Sequence, residues 1–147
     1  AKFTSYNTSI QVPLVIYNPY SKTKGTTNAL TSLVDIYPTL AELCSLKVPE
    51  DQLEGTSLVP ILNDTNLEGK SHVFIKKTQA FTIKTRDFSY TEYIKPEDNS
   101  IIDKMLYDHR ISKSENINVA DKMEFKKTVS ELNYLLHSKY QKNIVGD

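Results

Sequence analysis

The feature that most constrains this fold is a change in hydrophobic pattern between the two halves of the chain. Residues 12–17 (VPLVIY) form a continuous apolar run, whereas residues 72–77, 81–85, 88–94 and 105–110 are short, aromatic-rich and alternating. A continuous run is typical of a strand buried on both faces of a parallel sheet, and alternation is typical of an antiparallel strand with one buried face. We therefore predict an α/β chain, of α+β character in this portion, in which the end of a large sheet is followed by a small four-stranded antiparallel sheet.

Proline determines where the first long helix begins. Pro38 is tolerated only in the first turn, which makes Asp35 the expected N-cap. The residues that follow place a single apolar stripe on the helix, made of Ile36, Tyr37, Leu40, Leu43 and Cys44. On this stripe the single cysteine is expected to be a small buried hydrophobe. Residues 29–34 are predicted to be a short strand, and residues 48–66 a long loop with at most one helical turn.

A second amphipathic helix is predicted near the end of the chain. Asp121 would open it, with Glu124 at the capping-box position. Its apolar positions recur at helical spacing, namely Phe125, Val129, Leu132 and Leu136. We expect this face to lie across the small sheet.

Composition excludes several classes of function. The chain has 147 residues with 18 basic and 18 acidic side chains, so no net charge draws it toward nucleic acid. No apolar run approaches the roughly 20 residues that span a bilayer, so we predict no membrane partner. The histidines lack ligand spacing, so no metal site is predicted within the chain. Because the first residue is Ala, we expect a fragment or a processed subunit.

Four sequence motifs follow one another along the chain. Residues 34–44 and 53–62 are similar to S-x-V-D-I-x-P-T-L-x-x-L-x-G and L-x-G-x-S-L-x-P-x-L. Residues 82–93 are similar to S-I-R-T-x-x-Y-R-Y-T-x-W, and residues 106–118 to L-Y-D-x-x-x-D-P-x-E-x-x-N. In this order the four motifs resemble the C-terminal part of a sulfatase, a member of the alkaline phosphatase superfamily. The sequence departs from these patterns at Ser45, where the family has Gly, and at Lys84, where it has Arg.

The start of the chain resembles the iduronate-2-sulfatase-like branch. Residues 1–3 and 12–17 are similar to W-A-K-Y and V-P-L-I-F-Y. The family's nucleophile motif, C/S-x-P-S/A-x-R, is absent, as are its metal-binding aspartates. The resemblance thus implies formylglycine and calcium, or another divalent metal, both outside this chain. It also implies residues 1–66 as the end of the catalytic α/β domain and residues 67–147 as the C-terminal subdomain.

The resemblance assigns site residues at two places. Lys2 would donate to a sulfate oxygen in the catalytic centre, and Phe3 would form a wall beside the sugar. Arg86, at the tip of a predicted hairpin, would border the substrate cleft. The alternatives are a solvated Lys2, a core Phe3 and a surface charge at Arg86. A group of polar side chains is expected only to fix a turn, namely Asp108, Glu115 and Asn118.

The family resemblance implies a sulfatase that acts on a sulfated carbohydrate in partnership with its remaining N-terminal catalytic part. It also implies a periplasmic, secreted or lysosomal location, although the chain carries no targeting signal. Two alternatives stay open. One is a non-catalytic module that binds a glycan or a partner chain. The other is a phosphate or phosphonate ester hydrolase of the same superfamily, because the choice of ester depends on residues around the nucleophile.

Overall fold

The computed structural model describes residues 4–48, 52–98 and 100–140. They belong to two compact units: a sheet unit, Ala1–Pro13 with Phe74–Asp147, and a loop unit, Leu14–Val73. Among the described residues no helix is both long and apolar enough to cross a membrane. In chain order the main elements are α1 (Asn7–Ile10), α2 (Ile36–Leu43), α3 (Val59–Asn63), β1 (His72–Lys77), β2 (Ala80–Thr85), β3 (Phe88–Ile94), β4 (Ile101–Asp108) and α4 (Lys126–Tyr140).

The predicted four-stranded antiparallel sheet is confirmed. Its strands lie in the order β1-β2-β3-β4, so each strand pairs with its neighbour in the sequence. Three strands match their predicted bounds within one residue. The fourth begins at Ile101 rather than 105, because Ile94 pairs with Ile101 and extends the β3–β4 ladder into the predicted connection.

The terminal helix covers one face of the sheet, as predicted. Phe125, Leu132 and Leu136 are buried together with Ile83 of β2, Tyr90 of β3 and other side chains from the sheet, and Val129 packs against them. The predicted start was wrong. A 3₁₀ turn at Met123–Phe125 precedes α4, and its N-cap residue is Lys122. Asp121 instead pairs with Lys104 at 3.2 Å.

The loop unit is organised around a buried carboxylate. Asp35 is 0 % exposed, and its Oδ2 accepts a hydrogen bond from the Ser32 N–H at 2.8 Å. Its Oδ1 accepts from the Thr56 N–H at 2.9 Å and from Lys70 Nζ at 2.5 Å. Asp35 therefore joins three separate segments. The prediction that the Asp35 side chain caps α2 was wrong, because its carboxylate makes no cap hydrogen bond to that helix.

Two further residues hold the same pair of motifs together. The Thr39 hydroxyl donates to the Asp35 carbonyl at 2.5 Å and accepts from the Leu58 N–H at 2.8 Å. A Cβ at Gly55 would lie 2.0 Å from the Val34 carbonyl oxygen, so only glycine fits there. The residues that carried the resemblance at 34–44 and 53–62 thus fix one segment against the other.

The helix α2 ends in a left-handed residue. The Leu46 N–H bonds to the Ala41 carbonyl at 2.8 Å and the Ser45 N–H to the Glu42 carbonyl at 3.0 Å, which is a Schellman motif. The residue at its left-handed position is Ser45, with φ of 56°. The sequence pattern has glycine there for a physical reason, because a side chain at positive φ is strained.

Several predictions for the first half of the chain were wrong. Residues 12–17 form no strand, and residues 29–34 contribute only an isolated bridge at Leu30 before a 3₁₀ turn at Leu33–Asp35. The predicted stripe on α2 is not its buried face: Tyr37, Leu40 and Cys44 are exposed and Ile36 and Leu43 only partly buried. The buried residues of this helix are Pro38, Thr39 and Ala41. Cys44 is exposed rather than buried. A buried strand needs neighbours on both sides, and no other described strand pairs with residues 12–17.

Candidate functional site

The predicted site residues fall in different places. Lys2 and Phe3 lie outside the described residues, which begin at Thr4. Arg86 lies in the exposed turn between β2 and β3, as predicted from the hairpin. Among the described residues, the polar contacts that hold the N-terminal segment come from Lys77, Lys84 and Glu115 and not from Arg86.

The N-terminal segment binds to the sheet through Asn7. The Asn7 N–H donates to Glu115 Oε2 at 2.6 Å, and Asn7 Oδ1 accepts a hydrogen bond from Lys84 Nζ. Lys84 alternates with the buried Ile83 along β2, so these two side chains point to opposite faces of the sheet. Helix α4 covers the Ile83 face, and Asn7 lies on the other. We call Asn7, Lys84, His109 and Glu115 the Asn7 socket.

The other members of the Asn7 socket pair with each other. His109 Nε2 lies 3.0 Å from Glu115 Oε1, and the two side chains are only 7 % and 5 % exposed. Asn7 Nδ2 lies 3.4 Å from the same ring nitrogen. Nε2 cannot donate to the carboxylate and accept from the amide at once, so we assign its proton to the shorter contact with Glu115.

A second lysine anchors the same segment from the neighbouring strand. Lys77 on β1 donates to the Thr4 carbonyl at 2.5 Å and to Ser9 Oγ at 3.2 Å. The Tyr6 ring packs against the Tyr107 ring, with centroids 5.7 Å apart. The segment that follows Lys2 is thus held at residues 4, 6, 7 and 9.

Burial affects the ionisation of this face. Desolvation lowers the pKa of Lys84 below its ordinary value, and the opposing field of Glu115 raises it in part. Desolvation also raises the pKa of Tyr107, with a smaller contribution from its hydrogen bond to Tyr6. Because Lys84 is partly buried, its hydrogen bond to Asn7 is partly shielded from solvent.

The three polar residues expected to fix a turn behave differently. Asp108 Oδ1 accepts from the Arg110 N–H at 3.0 Å, and Asn118 Oδ1 accepts from the Ala120 N–H at 3.0 Å, as expected for turns. Glu115 instead binds Asn7, which is 108 residues away in the sequence. Its backbone has φ of 31°, an unusual value for a residue other than glycine.

A second buried carboxylate lies on the α4 side of the sheet. Glu92 accepts from the Tyr90 hydroxyl at 2.7 Å, from Asn133 Nδ2 at 2.5 Å and from His137 Nε2 at 2.8 Å. Sequence reasoning missed the pairs His109–Glu115 and His137–Glu92, because no local ligand spacing marks them. Each joins one imidazole to one carboxylate, and the described residues contain no group of three that could hold a metal ion.

The loop unit contains a groove of about 440 Å³ lined mainly by apolar side chains, including Leu30, Leu58, Ile61 and Leu67. Lys70 also lines it, but its ammonium group is paired with Asp35. The groove is therefore a concave, mainly apolar surface whose described lining contains no unpaired cation for an anionic ligand.

Comparisons with known proteins identify the group to which this chain is similar. A family model described as N-sulphoglucosamine sulphohydrolase, C-terminal, matches residues 1–142. The chain is 29% identical to arylsulfatase K from Homo sapiens over 150 residues, which covers 93% of this chain and 27% of that protein. The chain spans about a quarter of the length of the curated relatives that match it over most of its length.

Solved structures share the fold. One is described as a complex with its substrate D-glucosamine-2-N,6-O-disulfate, with a TM-score of 0.61 and 23% identity over 77% of this chain and 24% of that one. Another is a phosphonate monoester hydrolase of Agrobacterium radiobacter, with a TM-score of 0.60 and 22% identity over 78% of this chain and 25% of that one. At these identities the likeness shows the fold alone.

Proposed function

We propose a function from the premise that this chain belongs to the family described as N-sulphoglucosamine sulphohydrolase, C-terminal. The chain is the C-terminal portion of a sulfatase that hydrolyses sulfate esters of a sulfated sugar. The match over residues 1–142 carries this proposal, because it spans nearly the whole chain and its family is named for the hydrolysis of a sulfated sugar. Within that group we favour the iduronate-2-sulfatase-like branch, supported by the patterns at residues 1–3 and 12–17.

The partner of this chain, in our proposal, is the remaining N-terminal catalytic part of the enzyme. The loop unit exposes large apolar side chains along residues 14–46, among them Val15, Tyr17, Leu33, Tyr37 and Leu40. An extended apolar surface of this kind marks a place where another protein surface packs. We retain residues 1–66 as the end of the catalytic domain and residues 67–147 as the C-terminal subdomain. The location remains periplasmic, secreted or lysosomal.

The implied cofactors do not fit the described residues. Formylglycine would require the C/S-x-P-S/A-x-R motif, but Cys44 is followed by Ser45, Leu46 and Lys47. Calcium would require a cluster of oxygen ligands, and the described ranges contain no group of three acidic, histidine or cysteine side chains at one place. We therefore assign both groups to the catalytic part outside this chain and derive no step through them.

In this proposal Lys2 is the catalytic residue that the chain supplies. Its ammonium group would donate to a sulfate oxygen and stabilise the negative charge that develops there in the transition state. Phe3 would pack against a sugar face beside it. Arg86 would border the substrate cleft, a role supported by its exposure at the tip of the β2–β3 hairpin.

Sulfate release by the complete protein tests the proposed activity. We expect turnover of 2-O- or 6-O-sulfated monosaccharides and none by the isolated chain, which lacks the nucleophile. A phosphonate monoester is the matched control substrate, because a neighbouring fold belongs to a phosphonate monoester hydrolase. Faster turnover of the phosphonate would assign the other ester class. No turnover of either ester would favour a non-catalytic module.

The role of Lys2 is tested by Lys2→Ala in the complete protein. Loss of a donor that strengthens in the transition state lowers kcat by roughly 10²- to 10³-fold. Lys2→Arg is expected to restore only part of the rate, because a planar guanidinium does not replace a compact ammonium group. Near-normal turnover by Lys2→Ala, with the protein folded, would remove Lys2 from the catalytic centre.

A further inference from the structure

Asn7, in the short surface helix α1, makes long-range hydrogen bonds to the sheet unit. Helix α1 has four residues and none of them is buried, so neither its length nor an apolar face holds it in place. Its position depends on polar contacts to the sheet unit. Two of the hydrogen bonds of Asn7 reach Lys84, 77 residues away, and Glu115, 108 residues away.

The Asn7 socket is built to be rigid. Glu115 is held by His109 at 3.0 Å while it accepts the Asn7 N–H at 2.6 Å. Lys84 is partly buried on β2, and burial lowers its pKa. Removing the Asn7 side chain would leave the half-buried Lys84 without this acceptor, and a partly buried polar group without a partner is destabilising. The socket therefore favours one position of Asn7 over others.

The same segment is held on the side nearer to Lys2. Lys77 binds the carbonyl of Thr4, which is two residues from Lys2, and also the hydroxyl of Ser9. Two adjacent strands thus fix residues 4 to 9 through their lysine side chains.

We propose that Asn7 is a positioning residue for the catalytic function of Lys2: the Asn7 socket fixes the register of residues 4–9 on the sheet, and the contribution of Lys2 to turnover depends on that register. This inference rests on the proposed function of Lys2. Asn7 touches neither the substrate nor the reacting atoms. Its effect on turnover passes through Lys2, which distinguishes it from a residue that only stabilises the fold.

A double-mutant cycle in the complete protein tests this inference on a sulfated monosaccharide. Displacing a catalytic group by about 1 Å costs up to roughly 10²-fold in rate, so Asn7→Ala should lower kcat by about 10- to 100-fold, with a smaller change in KM. In the Lys2→Ala background the same substitution should change kcat by less than about twofold, because the group that it positions is already gone. Asn116→Ala is the matched control, since its exposed amide bonds only to Ser114 Oγ at 3.3 Å in its own loop.

Lys84→Met gives a second route to the same result from the sheet. It should reproduce the loss of kcat and the coupling to Lys2→Ala, even if Asn7→Ala folds poorly. Melting temperatures of all variants separate misfolding from mispositioning. Normal kcat for Asn7→Ala and Lys84→Met, or losses that multiply with that of Lys2→Ala, would overturn the inference while the role of Lys2 stands. Normal kcat for Lys2→Ala would overturn the proposed role of Lys2, and the inference with it.

Discussion

The sheet unit and the loop unit differ in where their apolar side chains lie. The sheet unit buries side chains from the strands, from the loop after β4 and from α4, among them Ile83, Tyr90, Leu106, Val119 and Leu136. In the loop unit only Ala41 and Leu58 are buried among the described hydrophobic residues. Its larger apolar side chains face outward, and Val15 is 90 % exposed. The sheet unit therefore buries its apolar face with its own helix α4. The loop unit is held mainly by hydrogen bonds and by the ion pair of Lys70 with the buried Asp35.

This difference shows what a hydrophobic pattern can and cannot predict. An amphipathic pattern indicates which face of an element would be buried, but burial also requires a second surface. In the sheet unit that surface is α4. In the loop unit, Tyr37, Leu40 and Cys44 of the predicted α2 stripe are exposed within the described ranges, as expected if the proposed catalytic part covers them.

The largest effect is expected where the loop unit depends on charge. Lys70→Met would leave the buried Asp35 carboxylate without its cation, and breaking a buried pair costs about 3–5 kcal/mol. Lys104→Met breaks the exposed pair with Asp121 and should cost about 0–1 kcal/mol. Urea unfolding of the chain measures both. Equal costs for the two variants would show that Asp35 does not organise the loop unit.

The sheet unit should respond instead to loss of apolar volume. Leu136 is 1 % exposed in the core beneath α4, so Leu136→Ala should lower the free energy of unfolding by about 2–5 kcal/mol. Tyr134 lies on the exposed side of the same helix, and Tyr134→Ala should change it by no more than about 0.5 kcal/mol. Thermal unfolding followed by circular dichroism would reveal the difference. A small effect at Leu136 would contradict a self-contained core.

The backbone of the loop unit can be relieved of strain at one position. Ser45 has φ of 56° in the Schellman motif, so Ser45→Gly should stabilise the chain by about 1 kcal/mol. Ser130→Gly, within α4, should have the opposite sign and cost about 0.5–1 kcal/mol. Chemical unfolding of the two variants checks the signs. Destabilisation by Ser45→Gly would contradict the left-handed conformation.

The smallest effect in the isolated chain should come from the exposed stripe of α2. Leu40 is 55 % exposed, so Leu40→Ala should shift the free energy of unfolding by at most about 0.5 kcal/mol. In the complete protein the same substitution should cost about 2 kcal/mol or more, because the side chain would be buried there. Paired unfolding measurements on the two proteins sharpen the comparison. An equal, small cost in both would leave this stripe without a partner.

Features of the fold that depend on patterns within one segment could be predicted from the sequence, and features that depend on contacts between distant residues could not. The strands of the sheet unit and the core face of the terminal helix were predicted because alternation and helical spacing can be recognised within a few residues of sequence. Phe125, Val129 and Leu132 are an example. The contacts of Asp35 with Thr56 and Lys70 were not predicted, because these two residues lie 21 and 35 residues away in the sequence. The motif pattern did single out Asp35 and Gly55, although without their reason.

The candidate site also depends on long-range contacts. In the sequence, Lys84 is only a departure from the arginine of the family pattern, and Glu115 only a predicted turn former. Their meeting at Asn7 depends on long-range packing of the N-terminal segment against the sheet, which no local spacing encodes. Lys2, Phe3 and Arg86 remain predictions from the family pattern.

We propose that the loop unit completes its fold only against the catalytic part of the complete protein. Amide hydrogen exchange compares the two states directly, in the isolated chain and in the complete protein. The account predicts that amides of α2 (Ile36–Leu43) and of residues 12–17 become strongly protected only in the complete protein, while those of β3 and β4 exchange alike in both. Equal protection of α2 and residues 12–17 in the two proteins would contradict it.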